Sequence, residues 1–256
     1  MTAIEDVRKF WDSRPCNVAH GTAPVGSRAW SQQITTRKYF VEPHIPGFAQ
    51  FERWRGKKVL EIGTGIGTDT LEFARRGATI ETIDLSMESL KLAWARFKHE
   101  SVMASFTCCN AERNLPFRPN ADGTFDLAYS FGVLHHTPHP ERVLENMFAC
   151  LKPGGELRVM LYAKWSIKVL LKEQPEAQAG CPIARTYTAK QARRLIERSG
   201  FKVESIRKDH IFPYVLADYQ HHMYNRRWPY RLMSRSLFAW LERRLGHHLL
   251  IVARKA

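Results

Sequence analysis

The stretch Val59-Leu60-Glu61-Ile62-Gly63-Thr64-Gly65-Ile66-Gly67-Thr68-Asp69 decides the fold of this 256-residue chain. A short apolar run ends in an acid, turns through three glycines and opens into a helical pattern. In parallel-sheet proteins this arrangement directs backbone N–H groups and a helix N-terminus at a ligand. A second strand pattern ends at Asp84, about 20 residues further on, where a carboxylate can accept hydrogen bonds from ribose hydroxyls. The sequence therefore predicts a site for a nucleoside-containing cofactor.

The glycine spacing argues against the two commonest nucleotide loops. A dinucleotide fingerprint needs a third glycine where this chain has Thr68, so an NAD-dependent oxidoreductase is disfavoured. No lysine ends the loop, which excludes a phosphate-binding P-loop. The loop lets the backbone approach a small ligand closely without offering a cradle for a pyrophosphate.

Strand and helix patterns alternate along the chain, which predicts an α/β fold with helices on both faces of a mostly parallel sheet. Thr188 and Gln191 form a capping box for the helix that ends at Gly200. We expect an N-terminal lid (1–56), a core (57–206), and a cap insertion with a final helix and strand (207–256). In the lid, Pro43 and Pro46 make a long regular element unexpected. The predicted strands are 58–62, 79–83, 105–109, 126–130, 156–162, 203–206 and 249–253, and the predicted helices are 4–11, 68–76, 87–97, 141–151, 188–200 and 237–245.

The glycine loop is the first of six motifs that follow one another along the chain. They are Glu61–Gly67, Asp84, Asn110–Phe117, Phe125–Ser130, Val133–Pro138 and Leu151–Gly155. In this order and spacing the chain resembles class I S-adenosylmethionine-dependent methyltransferases. It is more closely similar to the type 11 group, which includes ubiquinone/menaquinone-biosynthesis-like enzymes. The resemblance is strong over residues 57–162. It implies a Rossmann-like sheet of seven strands, the last one antiparallel, and S-adenosyl-L-methionine as cofactor, with S-adenosyl-L-homocysteine as product.

The resemblance also implies how the cofactor is held. The Gly63–Gly67 loop would pack against its methionine and ribose, and Asp84 would accept hydrogen bonds from the ribose diol. Asn110 stands where this group usually has an aspartate that contacts the adenine amine, and its carbonyl can still accept that bond. The implied cofactor-binding residues are Glu61, Gly63, Thr64, Gly65, Gly67, Asp84, Leu85, Asn110, Ala111, Glu112, Ser130 and Phe131.

The methyl group on the sulfonium of S-adenosylmethionine is already activated, so the protein mainly has to align the acceptor with it. A general base is needed only if the acceptor must lose a proton. His135 and His136 are the candidate catalytic bases by motif position, and they can equally be supporting residues of their loop. No cysteine or carboxylate completes a ligand set with His135, His136 and His139, so we predict no metal site. Cys108 and Cys109 end a predicted buried strand and suit core packing better than redox chemistry.

The net charge of +14 favours an anionic binding partner. Alternatively, the excess basic side chains simply lie on the surface in contact with water. Arginines interleave with Trp228, Tyr230 and Trp240 near the C-terminus. This mixture can contact RNA or anionic lipid headgroups, but we favour a cap helix with Leu237 and Phe238 facing the core. Ser130-Phe131-Gly132-Val133 is not the motif of a base-modifying enzyme. We therefore expect a small-molecule acceptor, with an anionic or aromatic one well suited. Candidate acceptor-pocket residues, by position, are Tyr39, His44, Tyr187, Phe212, Tyr214 and Tyr219.

The five cysteines form no C-x-x-C pair, and their odd number argues against a disulfide framework. No apolar run approaches the roughly 18 residues of a membrane span, and the first turns carry charges rather than a secretory apolar segment. These features predict a cytoplasmic protein. A non-enzymatic cofactor-binding protein is the remaining alternative, and it would turn over no acceptor.

Overall fold

A computed structural model of the chain describes residues 3–116, 123–172 and 180–256. Phe117, the last residue of one sequence motif, lies outside these ranges. Seven strands form one sheet in the order β3-β2-β1-β4-β5-β7-β6. Strand β7 runs antiparallel to β5 and β6, and the other neighbours in β3-β2-β1-β4-β5 pair in parallel. The strands are β1 Lys58–Ile62, β2 Thr79–Asp84, β3 Ser105–Cys108, β4 Phe125–Phe131, β5 Leu151–Tyr162, β6 Phe201–Asp209 and β7 His248–Lys255.

Helices cover both faces of the sheet, and the predicted fold class is confirmed. On one face, Val143, Leu144 and Met147 of α6 are completely buried. On the other face, Phe51 and Phe73 pack with Tyr129 of β4. The α-helices are α1 Ala3–Ser13, α2 Arg28–Val41, α3 His44–Ala49, α4 Thr68–Arg75, α5 Met87–Phe97, α6 Pro140–Cys150, α7 Ile167–Leu170, α8 Ala189–Arg198, α9 Leu216–Gln220 and α10 Arg235–Leu245.

The N-terminal segment contains a 14-residue helix, α2, that the sequence analysis missed. Ser27 caps its first turn by accepting a hydrogen bond from the Trp30 backbone at 3.1 Å. Trp30 and Ile34 are completely buried. The expected interruption at Pro43 is real, but it separates α2 from α3 rather than preventing a regular element. Helix α2 lies against the glycine loop and α5 through buried polar contacts, described below.

Three further expectations were wrong in detail. Strand β5 begins at Leu151 rather than at residue 156, because an irregularity in the β4–β5 register between Phe125 and Leu127 lets Leu151 pair with Phe125. Cys108 is exposed, because β3 is an edge strand with little cover. Leu237 is also exposed, because Phe238 is the residue that α10 buries as it packs against β6.

Other boundaries moved by a few residues. Helix α6 begins at Pro140, where a fixed φ suits the first helical position. The predicted capping box of Thr188 and Gln191 is present. Strand β6 extends from Phe201 to Asp209. Within the described ranges, the longest apolar helical stretches fall short of what crossing a bilayer requires.

Candidate active site

A cavity of about 650 Å³ opens at the carboxyl ends of the parallel strands, within the usual range of ligand pockets. Its floor is formed by the glycine loop after β1 and by Asp84 at the end of β2. Its walls come from α1, from α2 and from the segment between β6 and α9. In open α/β sheets ligands bind at this edge, so the lid, core and cap segments share one site.

The glycine loop is built so that its backbone approaches the cavity. Gly63, Gly65 and Gly67 all have positive φ, a conformation that side chains rarely adopt. The Gly63 N–H donates to the Ile83 carbonyl at 2.8 Å, which joins the loop to β2. A Cβ on Gly63 would lie 2.0 Å from Cγ2 of Val133. Glycine at position 63 is therefore required by conformation and by space.

Asp84 lines the cavity with its carboxylate already oriented. One oxygen accepts a hydrogen bond from the Gly65 N–H and the other from the Ser86 N–H, both at 2.8 Å. A carboxylate has about four lone-pair positions, so each oxygen keeps acceptor capacity for a ligand. Burial raises the pKa of Asp84, while the backbone donors at Ser86 and Gly65 oppose that shift. The side chain fits a diol that donates two hydrogen bonds.

The segment after β3 continues this wall. Asn110 and Ala111, which follow β3, line the cavity together with Leu85, which directly follows β2. The Asn110 side-chain oxygen accepts a hydrogen bond from the Glu112 N–H at 2.9 Å, which fixes the loop. The Glu112 carboxylate points elsewhere and accepts from the His139 N–H at 2.8 Å. Glu112 itself lies outside the cavity lining.

Four of the expected cofactor-binding residues lie outside the cavity lining, namely Glu61, Gly67, Glu112 and Ser130. Ser130 is completely buried and its hydroxyl donates to the Ile62 carbonyl at 2.8 Å, whereas its neighbour Phe131 lines the cavity. Glu61 is buried beneath the loop, where it accepts hydrogen bonds from the hydroxyls of Thr70 and Thr82. Burial raises the pKa of Glu61 to about 8. Glu61 and Ser130 support the loop from below.

The protonation of Glu61 predicts a pH dependence of stability. The folded state holds its proton up to about pH 8, whereas an unfolded glutamate loses it near 4.5. Its contribution to the free energy of unfolding is therefore full below about pH 4.5 and is lost as the pH rises towards 8. Glu61→Gln mimics the protonated acid, so the variant should gain about 1 kcal/mol or more relative to wild type between pH 5 and pH 8.

Urea denaturation at pH 5, 6.5 and 8 measures this difference. Glu88→Gln is the matched control, because Glu88 is exposed and pairs only with Lys91 on the surface of α5. The control should stay within about 0.5 kcal/mol of wild type at every pH. A constant difference between Glu61→Gln and wild type across this range would contradict the assignment.

The two candidate catalytic histidines differ in their positions. His135 is completely buried, lies outside the cavity lining, and its ring nitrogens have no hydrogen-bond partner among the described residues. His136 lines the cavity and its Nδ1 lies 2.6 Å from the Ile183 carbonyl. Burial lowers the pKa of His136 to about 4 and that of His135 well below its ordinary value. At neutral pH both imidazoles are uncharged, and His136 is the better placed of the two.

The predicted acceptor residues divide into two groups. Phe212, Tyr214 and Tyr219 line the cavity and contact one another at ring-centroid distances of 4.9–6.5 Å. Tyr39 lies outside the cavity lining and donates its hydroxyl to Asp69 at 3.0 Å. Tyr187 likewise lies outside it, and its backbone N–H donates to the Tyr162 carbonyl.

His44 lies directly behind the cavity wall. Its Nε2 is 2.9 Å from Nδ1 of His248, and its ring lies 5.2 Å from that of His210. Burial lowers the pKa of His44 to about 2 and that of His210 to about 4. Glu42, two residues before His44, also lines the cavity, and burial raises its pKa to about 7.

Sequence reasoning missed several polar residues of the cavity, because no local motif marks them. They come from α2, α7 and the two ends of the cap, and only the folded chain brings them together. They are Lys38, Glu42, Lys168, His210, Arg227, His247 and His248.

Comparisons with known proteins agree with this geometry. Residues 36–206 match the family described as a methyltransferase domain. The ubiquinone biosynthesis O-methyltransferase of Chromobacterium violaceum is 36% identical over 100 residues, which cover 39% of this chain and 42% of that protein. The corresponding protein of Idiomarina loihiensis is 30% identical over 118 residues, covering 46% and 45%. The match thus spans less than half the length of these relatives.

Solved structures show the same fold over nearly the whole chain. Magnesium protoporphyrin IX methyltransferase from Synechocystis with bound S-adenosylmethionine has a TM-score of 0.61 at 12% identity, covering 100% of this chain and 98% of that one. The putative methyltransferase bound to the Haloferax volcanii Trm112 activator has a TM-score of 0.65 at 19% identity, covering 97% of each chain.

The sheet order, the glycine loop and the acid at the end of β2 define a class I methyltransferase. The family match covers about two thirds of the residues. The chain therefore belongs to the methyltransferase-domain family, which confirms the class expected from its motifs.

Proposed function

We propose that this protein transfers the methyl group of S-adenosylmethionine to an oxygen of a small aromatic acceptor that carries an anionic group. The observation that carries the proposal is the continuity of one cavity from the glycine loop and Asp84 to the aromatic residues of the cap. The names of the relatives, which are O-methyltransferases, support oxygen as the acceptor atom.

The donor half of the cavity fits S-adenosylmethionine, which supplies an activated methyl group when bound. Gly63 and Gly65 leave room for its methionine and ribose portions, and Asp84 has free acceptor capacity for the ribose diol. Asn110 and Ala111 would border the adenine, and Phe131 the sulfonium. The chain contributes alignment and exclusion of water, which are the main requirements of this transfer.

The acceptor half combines aromatic walls with positive charge. Phe212, Tyr214 and Tyr219 offer ring faces and edges for an aromatic ligand. Lys38 and Lys168 line the same space and would attract an anionic group. Because α1, α2 and the cap enclose this space, a small molecule suits it better than a macromolecule. His136 is the proposed general base, through its position on the cavity wall.

The proposed contact between Asp84 and the ribose predicts that replacing Asp84 lowers the affinity for the cofactor. Asp84→Asn replaces a charged acceptor with a neutral one and should weaken S-adenosylmethionine binding about 10- to 100-fold by isothermal calorimetry. Asp126→Asn is the control, because Asp126 lies at the amino end of β4 and bonds Lys58 and Lys152. Unchanged affinity of Asp84→Asn for both S-adenosylmethionine and S-adenosylhomocysteine would remove the ribose assignment.

The acceptor class is tested with a panel of phenols, each with and without a carboxylate, and transfer is followed by mass spectrometry of the product. We expect O-methylation of the carboxylated phenols, and Tyr219→Ala should raise their KM. A second candidate, a lipophilic acceptor drawn from an anionic membrane surface, is favoured by the exposed side chains of Trp228, Leu232 and Trp240 near the cap arginines. Turnover of a prenylated phenol only in anionic vesicles would identify that alternative.

A further inference from the structure

One carboxylate and two imidazoles converge beside the acceptor half of the cavity. Nε2 of His44 lies 2.9 Å from Nδ1 of His248, and that Nδ1 lies 3.9 Å from a carboxylate oxygen of Glu42. One ligand atom from each of the three residues lies within 4.8 Å of the other two. Glu42 and His248 line the cavity directly.

The three side chains come from separate elements that the fold brings together. Glu42 directly follows α2, His44 begins α3, and His248 begins β7, so the two histidines lie 204 positions apart in the chain. His210 adds a third imidazole, with its ring 4.6 Å from that of His248. Its φ of +68° is uncommon for a residue other than glycine. Such backbone outliers concentrate at functional sites.

We propose that Glu42, His44 and His248 form a binding site for a divalent transition-metal ion of the zinc class, with its open coordination position facing the acceptor. Two imidazoles and one carboxylate are the protein ligands of many catalytic zinc sites, which keep a further position for water or substrate. Imidazole nitrogen also suits this class of ion better than magnesium or calcium, which prefer oxygen ligands.

The observed separations are close to those that a bound ion needs. Zinc lies about 2.0–2.2 Å from nitrogen and carboxylate oxygen, so tetrahedral ligands are roughly 3.3 Å apart. The distances of 2.9 Å and 3.9 Å lie on either side of that value. The third separation, between Glu42 and His44, is within 4.8 Å, so shifts of up to about 1.5 Å would bring all three ligand atoms to the tetrahedral spacing. The neutral form of imidazole is the one that donates a lone pair to a metal.

Positively charged side chains near the cluster would influence which ligand the bound ion takes. Lys38 is engaged by Asp69 at 2.8 Å, and Lys168 lines the same cavity. These ammonium groups oppose a further cation, and an anionic acceptor would offset that repulsion. This step rests on the proposed function: the ion would hold an ionised hydroxyl or carboxylate oxygen of the acceptor. Bound ions stabilise such oxygen anions strongly.

The alternative is that the two imidazoles simply share a hydrogen bond and hold α3 against β7. Metal binding distinguishes the two arrangements without any assay of activity. The untagged chain is stripped with a chelator and titrated with Zn²⁺ by calorimetry. It is then loaded with Co²⁺, whose visible absorption reports the number and type of ligands. We expect one ion per chain and the intense bands of a four- or five-coordinate cobalt site.

Glu42→Gln and His44→Ala should each weaken Zn²⁺ binding by at least about tenfold and change the Co²⁺ spectrum. The matched control is His221→Ala, because His221 is an exposed histidine and should leave both readouts unchanged. Absence of stoichiometric binding by the wild type, or equal affinity in wild type and both variants, would overturn the site.

Measuring S-adenosylmethionine binding in the same samples separates this proposal from the proposed function. If Zn²⁺ does not bind while the methyl donor binds and carboxylated phenols are methylated, only the metal site fails. If one Zn²⁺ binds through these residues while no donor binds, the metal site stands and the proposed function fails.

Discussion

Gly63→Ala is expected to weaken S-adenosylmethionine binding by at least about 100-fold. Gly63 has a φ of +90°, and a Cβ there would lie 2.0 Å from Cγ2 of Val133. A side chain at such a φ costs of order 1–3 kcal/mol, and an overpacked contact typically adds a similar amount. Because Gly63 N–H also holds the loop to β2, relief of the clash would move the backbone on which the cofactor rests.

Calorimetry with S-adenosylmethionine measures the effect, and Gly154→Ala separates its two causes. Gly154 has a φ of +73° but open space around its Cβ, and it lies near the amino end of β5, outside the cavity lining. That control carries the conformational cost without the clash, and it should bind the cofactor normally. Adding Val133→Ala to Gly63→Ala should recover part of the affinity. Wild-type affinity in Gly63→Ala would show that the loop does not cradle the cofactor.

The sequence could identify those site residues that lie close to one another along the chain. The loop from Gly63 to Gly67 and the acid at Asp84 are separated by one helix and one strand, so periodicity and turn chemistry place them at the same sheet edge. The order of motifs then extended the prediction to the whole sheet. Asn110 and Phe131 were instead implied by the family resemblance, and both line the cavity.

The lid and the polar wall of the cavity could not be predicted in this way. Helix α2 has a weak apolar pattern, because Arg37 is buried along with Trp30 and Ile34. The aromatic and charged residues around it therefore hid its period. The pairing of His44 with His248 depends on contacts across 204 positions, for which a single sequence carries no signal. Tertiary packing, rather than local propensity, decides both features.

The contact for which we expect the second large effect joins residues 65 positions apart, so a single sequence gives no signal for it either. Arg96 of α5 is completely buried and joins the lid helix to the glycine loop. Its guanidinium donates to the Ile66 carbonyl at 2.9 Å and the Thr68 hydroxyl at 2.7 Å on the loop side. On the lid side it donates to the Ser31 hydroxyl at 3.0 Å and the Thr35 hydroxyl at 2.7 Å.

These bonds offset the cost of burying a cation that has no carboxylate within hydrogen-bond distance among the described residues. Burial still lowers the pKa of Arg96 to about 10. The planar guanidinium presents five donors in a fixed fork, a geometry that lysine cannot reproduce. One side chain thus fixes where α2 lies relative to the cofactor loop. Ile66 and Thr68 themselves line the cavity, so the lid contact and the donor site are coupled.

Arg96→Met is therefore expected to lower the free energy of unfolding by about 3 kcal/mol or more, because it leaves several buried acceptors without donors. Arg96→Lys should recover only part of this loss. Arg198→Met, at an exposed position near the end of α8, should change stability by less than about 0.5 kcal/mol. Urea denaturation measures all three variants, and wild-type stability in Arg96→Met would contradict the role of this contact.

If the Arg96 contact only stabilised the fold, its loss would change the free energy of unfolding alone. If it also positions the glycine loop, its loss should weaken cofactor binding by the molecules that remain folded. Below the unfolding transition, Arg96→Met should bind S-adenosylmethionine about tenfold more weakly, because Ile66 and Thr68 lose the donor that positions them. Saturating cofactor should then stabilise the variant less than it stabilises the wild type, since ligand stabilisation follows affinity. Equal stabilisation of both proteins would show that the lid is held independently of the donor site.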